Sequence, residues 1–306
     1  MLPHMVEIAG DNRHLCKEQG FLAVYEGRER LGRIPLDDLS MVLVCGHGVT
    51  WSNDLLVALG EACVPVVLCG RAMRPVSLLW SLQGHHLTSE RIRLQADAGL
   101  PARKQIWRSL VSAKIRMQAQ HVALRGGNAG HLEMLARGVR SGDADNAEAT
   151  AARLYWALCF GPEFRRDRES PGMNALLNYG YTVLRAAVAR AVMLAGLHPA
   201  FGVFHCNARN PMPLVDDLME PFRPVVDMLV LHVHAAGHGR LTPPVKQMLA
   251  ALTSVDIRLN GTCSTVGAGV RACADSLVAV LAGERKVLEF PDAMVPLKAG
   301  DTPWAC

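Results

Sequence analysis

At 306 residues, half of them apolar and a fifth charged, the chain is long enough for one large or two ordinary cores and too hydrophobic for a disordered polymer. Its net charge of +4 selects no class of partner, and its longest apolar runs, such as Val64 to Cys69, are far too short to span a bilayer. Nine cysteines, spread singly and odd in number, exclude a zinc knuckle or disulfide framework and fit reduced, mostly buried thiols in a cytoplasmic protein; the start at Met1-Leu2-Pro3-His4 has no signal-peptide pattern.

Residues 1–87 read as β-rich. Phe21 to Tyr25 is a short apolar run before a turn at Glu26-Gly27-Arg28-Glu29. Met41 to Cys45 and Val64 to Cys69 read as strands, with a short helix over Asn53 to Leu59 capped by Thr50 or Ser52. Beyond His85-His86, a solvated linker, the period changes. Ile106, Leu110, Ala113 and Met117 recur at helical spacing between Lys104 and Leu124. Asp145 or Asn146 is placed to cap a helix over Glu148 to Phe160, which Gly161-Pro162 ends. Asn174 is placed to cap another over Ala175 to Ala195, after the charged loop Arg165-Arg166-Asp167-Arg168-Glu169. Further helices are expected over Asp216 to Val230, Pro244 to Leu252 and Val266 to Leu281. The fold class is therefore α+β: a small N-terminal β-sheet or sandwich domain, residues 1–87, followed by a mainly α-helical domain, residues 88–306.

Three candidate ligands stand out. Glu148 opens a helix, His205 follows the apolar Gly202-Val203-Phe204, and Glu220 lies in Asp216-Asp217-Leu218-Met219-Glu220-Pro221-Phe222-Arg223-Pro224. Carboxylates plus one neutral imidazole suit Mg2+ or Mn2+, the ions of phosphodiester chemistry. Each residue also has an ordinary reading: Asp145-x-x-Glu148 as a capping box, His205 as a core histidine, and the acids near 217 as helix-dipole partners. Asp217 and Glu220, or Asp216 and Glu220, would share a helix face, with Pro221 and Pro224 kinking or restarting the helix just beyond. Cys206 beside His205 makes a poor dyad because adjacent residues point apart. His232-x-His234 reads as packing within an apolar run. No G-x-S-x-G or phosphate loop is present.

From Leu87 to Arg140 ten Lys and Arg face three acids, an excess suited to a phosphate backbone or to a solvated helix face. Candidate phosphate contacts are Arg91, Arg93, Lys104, Arg108 and Lys114, joined by Arg165, Arg166 and Arg168. Arg153 and Arg223 lie near the acids in sequence, to orient carboxylates, touch a phosphate or form structural ion pairs.

Taken in order, Glu148-Ala-Thr-Ala-Ala-Arg153-Leu-Tyr155-Trp156, Met173-Asn174 to Leu184, Ala195 to His205 and Asp217-Leu-Met-Glu220-Pro-Phe-Arg223-Pro resemble the core of the CRISPR-associated adaptation endonuclease/integrase family. Asn53-Asp54-Leu55-Leu56 and Lys114-Ile115-x-x-Gln118 extend the resemblance over nearly the whole chain, and the last motif is most like the branch accompanying single-protein (type II) effector systems. The resemblance implies an N-terminal dimerisation domain and a helical catalytic domain. It implies metal and catalytic roles for Glu148, His205 and Glu220, with Asp217 as a supporting acid. Many members carry Asp where this chain has Glu220. It further implies a homodimer, two of which are bridged by the small second adaptation protein into a heterohexamer-like integrase. Double-stranded and branched DNA, as prespacer and repeat, are the implied substrates, with contact to the effector nuclease. The implied reaction is spacer insertion by 3′-OH transesterification, or hydrolysis of phosphodiesters. A repair or recombination nuclease without integrase activity, and a catalytically silent DNA-binding scaffold, are the competing readings.

Overall fold

The computed structural model describes residues 4–70, 75–82, 84–205, 207 and 210–297. The chain divides between Thr88 and Ser89 into two compact units.

In the first unit two four-stranded sheets form. One runs β4 (Glu29–Pro35), β3 (Phe21–Glu26), β2 (Arg13–Glu18), β6 (Thr50–Trp51). The other runs β1 (His4–Ile8), β5 (Leu39–Val44), β7 (Val66–Cys69), β8 (Pro75–Leu79), with β1, β5 and β7 parallel. Helix α1 (Asn53–Glu61) begins at Ser52, whose hydroxyl accepts from the Leu55 N–H. Leu15 and Leu22 of one sheet and Val42 and Val66 of the other share one core with Leu55 and Leu59 of α1. The sandwich-like expectation is met, and β5 is almost continuously apolar because both of its faces are covered.

The second unit is mainly helical. It contains α2 (Thr88–Asp97, starting at the boundary), α3 (Leu100–Leu124), α4 (Gly130–Gly138), α5 (Ala147–Phe160), α6 (Met173–Leu194), α7 (Pro213–Leu218), α8 (Arg223–Ala235), α9 (Pro243–Ala250) and α10 (Val266–Leu281). Helix α3 starts at Gly99 with Pro101 in its first turn and is buried at Ile106, Trp107, Leu110, Val111, Ile115, Met117 and Val122. It is the post against which α4, α5 and α8 pack. A small sheet, β9 (Asp256–Leu259) between β10 (Thr262–Thr265) and β11 (Ala293–Met294), was not expected from the sequence. Asn260-Gly261, both at positive φ, closes its hairpin.

Two expectations are corrected. The single helix over Asp216 to Val230 is instead α7, a 3-10 turn over Glu220–Phe222, and α8. Pro221 lacks the N–H that would continue α7, and Pro224 sits in the first turn of α8. Asn174 does not cap α6, which begins after Gly172; its side chain ties down the preceding loop, accepting from Arg166 and the Asp167 N–H and donating to the Arg165 carbonyl. His232 and His234 lie on a helix, where a spacing of two turns side chains away from each other. Among the described residues no helix is long and apolar enough to cross a membrane.

Candidate metal centre

Glu148 stands in the first turn of α5. The helix is capped neither by Asp145, which pairs with Arg140, nor by Asn146, which is left-handed and caps nothing. Asp143 caps it instead, accepting from Ala147 N–H at 2.8 Å and Glu148 N–H at 3.1 Å. The capping-box reading of Glu148 therefore fails, and its carboxylate is turned elsewhere: Oε1 accepts from Lys114 Nζ at 2.6 Å.

Lys114 comes from the middle of α3, and its side chain is only 11% exposed. Its ammonium also lies 2.5 Å from Glu220 Oε2. That contact is a close, buried ion pair. Glu220 Oε1 accepts from Arg223 Nε at 2.8 Å. Burial opposes the charge on Glu220, but Arg223 and Lys114 outweigh it and hold the carboxyl down at about 2. Burial likewise opposes the Lys114 charge, and Glu220 and Glu148 outweigh it, so the ammonium is held above its ordinary value.

His205 reaches the same neighbourhood from an irregular segment. Asp217, at the end of α7 and fully buried, accepts from Val203 N–H at 2.6 Å, Phe204 N–H at 2.9 Å and His205 N–H at 3.4 Å. Its Oδ1 also accepts from the ring Nδ1 of His205. That hydrogen bond assigns the proton to Nδ1 and leaves the Nε2 lone pair to a ligand. The His205 pKa is raised, first by Asp217 against the opposing effect of burial, and further by the charges of Asp217, Glu220 and Glu148. Arg103 donates to the Gly202 and Val203 carbonyls, and Phe204 stacks on the buried Trp107 with centroids 4.4 Å apart. The outer side of His205 lines a cleft of about 310 Å³ with Arg103, Phe201, Asn207 and Asn210.

Beneath Arg223 lies a buried polar chain. The guanidinium sits over the Tyr181 ring at 4.9 Å, and Tyr181 and Tyr155 donate to Asp227 at 2.5 and 2.8 Å. His121 hydrogen-bonds the Tyr155 hydroxyl at 2.7 Å. Burial pushes the Asp227 carboxyl up to about 6 against the pull of both hydroxyls, and burial with Arg125 pushes His121 down to about 3.

The structure thus gathers Glu148 and Glu220 on one ammonium and places His205 within electrostatic range of both. Among the described residues no three acid, imidazole or thiol groups close on a single point in ligand geometry, and the Lys114 ammonium pairs with both glutamates. Asp217 and Glu220 do not share a helix face: Asp217 serves the His205 turn, and Asp216 pairs with Arg185 at 2.7 Å. Cys206 lies outside the described residues.

The basic residues sort by exposure. Arg93, Lys104, Arg108, Arg165 and Arg168 are exposed, and Arg91 and Arg166 are partly buried. Arg91 donates to the Ala195 carbonyl, Arg108 to that of Val139, Arg165 to those of Pro162 and Phe164, and Arg166 to Asn174 and Asn178. Lys114 is a buried site residue, not a surface cation, and Arg153 is exposed beside Thr150. Sequence reading passed over Arg103, Trp107 and Asp227; a charged or amphipathic residue inside an apolar helical stripe was the one signal available for each.

A family model described as CRISPR associated protein Cas1 matches residues 6–242. The CRISPR-associated endonuclease Cas1 of Neisseria meningitidis serogroup C (strain 8013) is 36% identical over 271 residues, which cover 87% of this chain and 88% of that relative. Among solved structures, a casposase bound to integration product aligns with a TM-score of 0.79 at 18% identity over 97% of each chain. A chain of a Cas6-RT-Cas1–Cas2 complex aligns with a TM-score of 0.72 at 18% identity, over 93% of this chain and 35% of that one. These two share the fold. Matched by the family model over most of its length and by a relative over most of both chains, the protein belongs to the Cas1 family of CRISPR-associated proteins.

Proposed function

We propose that the chain is a divalent-metal-dependent DNA endonuclease and integrase that inserts new spacers into a CRISPR array. The observation that carries this reading is the meeting of Glu148 and Glu220, from elements far apart in sequence, beside a His205 whose Nδ1 is already tied to Asp217. The residues fit a hard cation. Glu220 is a buried carboxylate held charged by Arg223 and Lys114, and two carboxylates with one imidazole are the donor set of Mg2+ and Mn2+ sites.

Glu148, His205 and Glu220 would hold the ion; Asp217 fixes the tautomer and orientation of His205; Arg223 keeps Glu220 ionised. Bound there, the ion would polarise a phosphoryl oxygen and acidify the attacking hydroxyl. In integration a DNA 3′-hydroxyl oxygen forms the new bond to phosphorus and gives up its proton to solvent, while the bond to the array strand's 3′-oxygen breaks and that oxygen takes up a proton to leave as a hydroxyl. In hydrolysis water replaces the attacking hydroxyl.

The casposase whose fold this chain shares was solved with an integration product, which supports the integrase half of the reading. The complex that includes Cas2 supports a small second adaptation protein as partner, bridging homodimers built through the N-terminal unit. Exposed Arg93, Lys104 and Arg168 supply phosphate contacts.

The test incubates the protein and Mn2+ or Mg2+ with a 3′-hydroxyl duplex and a supercoiled plasmid bearing repeats, with and without the second adaptation protein. Duplex-joined plasmid is expected, reduced to background in Glu148→Gln and His205→Ala. Nicking without joining under all conditions would leave a repair-type nuclease, and metal-dependent nicking that survives both substitutions would refute the site.

A further inference from the structure

We infer that Lys114 is the resident counter-cation of this centre: its ammonium holds Glu148 and Glu220 together in the metal-free protein and opposes the divalent ion that takes the same carboxylates. The inference rests on the metal-binding reading above and adds a residue to it. Lys114 rises from a stretch of α3 in which Val111, Ala113, Ile115 and Met117 are all buried, so the side chain has little water to fall back on. A buried carboxylate, Glu220, and a partly buried one, Glu148, brought together need a positive charge between them, or one must take up a proton.

The charge balance identifies which cation is in the way. Of the two glutamates Arg223 pairs with Glu220, through Oε1. Lys114 alone touches both glutamates, at Glu148 Oε1 and Glu220 Oε2. A metal that takes either oxygen must therefore break an ion pair to Lys114. Glu148 and Glu220 are balanced by Lys114 and Arg223, so an arriving divalent ion leaves surplus positive charge. A phosphodiester then offsets that charge, and metal and DNA bind better together than separately. Lys114 is on this account a positioning residue and a competitor, not a ligand.

The test is a Mn2+ titration of the full chain, followed by the electron paramagnetic resonance of free Mn2+, on wild type, Lys114→Gln, Lys114→Met and Lys114→Arg. Lys114→Gln keeps hydrogen-bond donors and loses the charge. Both neutral variants should bind Mn2+ at least about tenfold more tightly, since a unit charge a few Å from a divalent ion costs more than the ~1.4 kcal/mol that a tenfold change represents. Lys114→Arg, which keeps the charge, should bind no more tightly than wild type. The neutral variants should also melt lower without metal and gain more from saturating Mn2+ than wild type does. Unchanged or weakened Mn2+ affinity in folded Lys114→Gln overturns the inference, as does failure of both neutral variants to fold even in saturating Mn2+. A wild type that binds no Mn2+ at a site abolished by Glu148→Gln overturns the metal-binding reading itself, a different result from an intact site indifferent to residue 114.

Discussion

Asp217 accepts three backbone N–H groups and one imidazole N–H while wholly buried, and that one carboxylate sets both the path of residues 203–205 and the orientation of His205. Asp217→Asn keeps the size but turns one acceptor into a donor facing N–H groups. We expect Mn2+ affinity to fall about 10–100-fold, as for partners that orient a ligating histidine. A helical circular dichroism spectrum should persist, and unchanged affinity by titration would count against the role. Gly202 is the other fixed point of this turn. A Cβ there would meet the His205 carbonyl at 2.6 Å and Pro213 Cβ at 2.8 Å. Gly202→Ala should therefore weaken metal binding without touching a ligand, at a cost of about 1–3 kcal/mol in denaturant unfolding. At this scale the sequence is legible where residue type and spacing carry chemistry: Glu148, His205, Asp217 and Glu220 all stand out in it, and the structure brings them into one neighbourhood. The capping of α5 is hard to read because Asp143, Asp145 and Asn146 are chemically interchangeable caps, and only the left-handed backbone at Asn146 decides among them. Lys114 reads as a surface residue because a lysine in a basic stretch carries no mark of burial.

Helices α6 and α8 cross at Gly180, where a Cβ would lie 2.6 Å from Val226 Cγ1. Gly180→Ala should destabilise by about 1–3 kcal/mol through overpacking, read as a lower denaturant midpoint. The same pair of helices buries Asp227 between Tyr155 and Tyr181. Between pH 3.8 and about 6 the folded protein keeps the Asp227 proton that the unfolded chain has released, so raising the pH through that window weakens the fold. The change is about 3 kcal/mol by the cost of a pKa displacement. Glu220 acts in the opposite sense: held at about 2 against 4.5, it contributes stability above pH 4.5 that is lost as the pH falls toward 2. Asp227→Asn should remove the decline in stability between pH 4 and 7, measured by urea unfolding at both values; the same pH dependence in variant and wild type would contradict the assignment. Long periodic elements such as α3 and α10 can be read directly from apolar spacing. The break at Pro221 is foreshadowed as a kink but not as two helices joined by a 3-10 turn. The hairpin at Asn260-Gly261 escapes notice although its turn dipeptide is explicit, because its four-residue strands are too short to show alternation.

Across the whole molecule, a change from strand-like to helical periodicity near residue 87 stands beside the division between Thr88 and Ser89. Non-local pairing is what the sequence hides: the parallel neighbours β1, β5 and β7 are separated by hairpins and a helix, and no local pattern announces them. Electrostatics are also a property of the whole. Of the expected DNA contacts, Arg93, Lys104 and Arg168 stand exposed with side chains free of the carbonyl and amide bonds that Arg91, Arg166 and the likewise exposed Arg108 and Arg165 make within the chain. The combined Arg93→Ala, Lys104→Ala, Arg168→Ala variant should therefore bind duplexes of any sequence more weakly. Its salt dependence should be shallower by about 0.9 in log–log slope for each phosphate that these side chains neutralise in the wild type. An unchanged slope would remove these residues from the DNA path. The most direct measurement is anomalous scattering from crystals soaked in Mn2+. The account predicts a single strong peak bounded by Glu148, Glu220 and His205 Nε2, with the Lys114 ammonium drawn off the carboxylates. A peak elsewhere, with both glutamates still closed on Lys114 in saturating Mn2+, would contradict it.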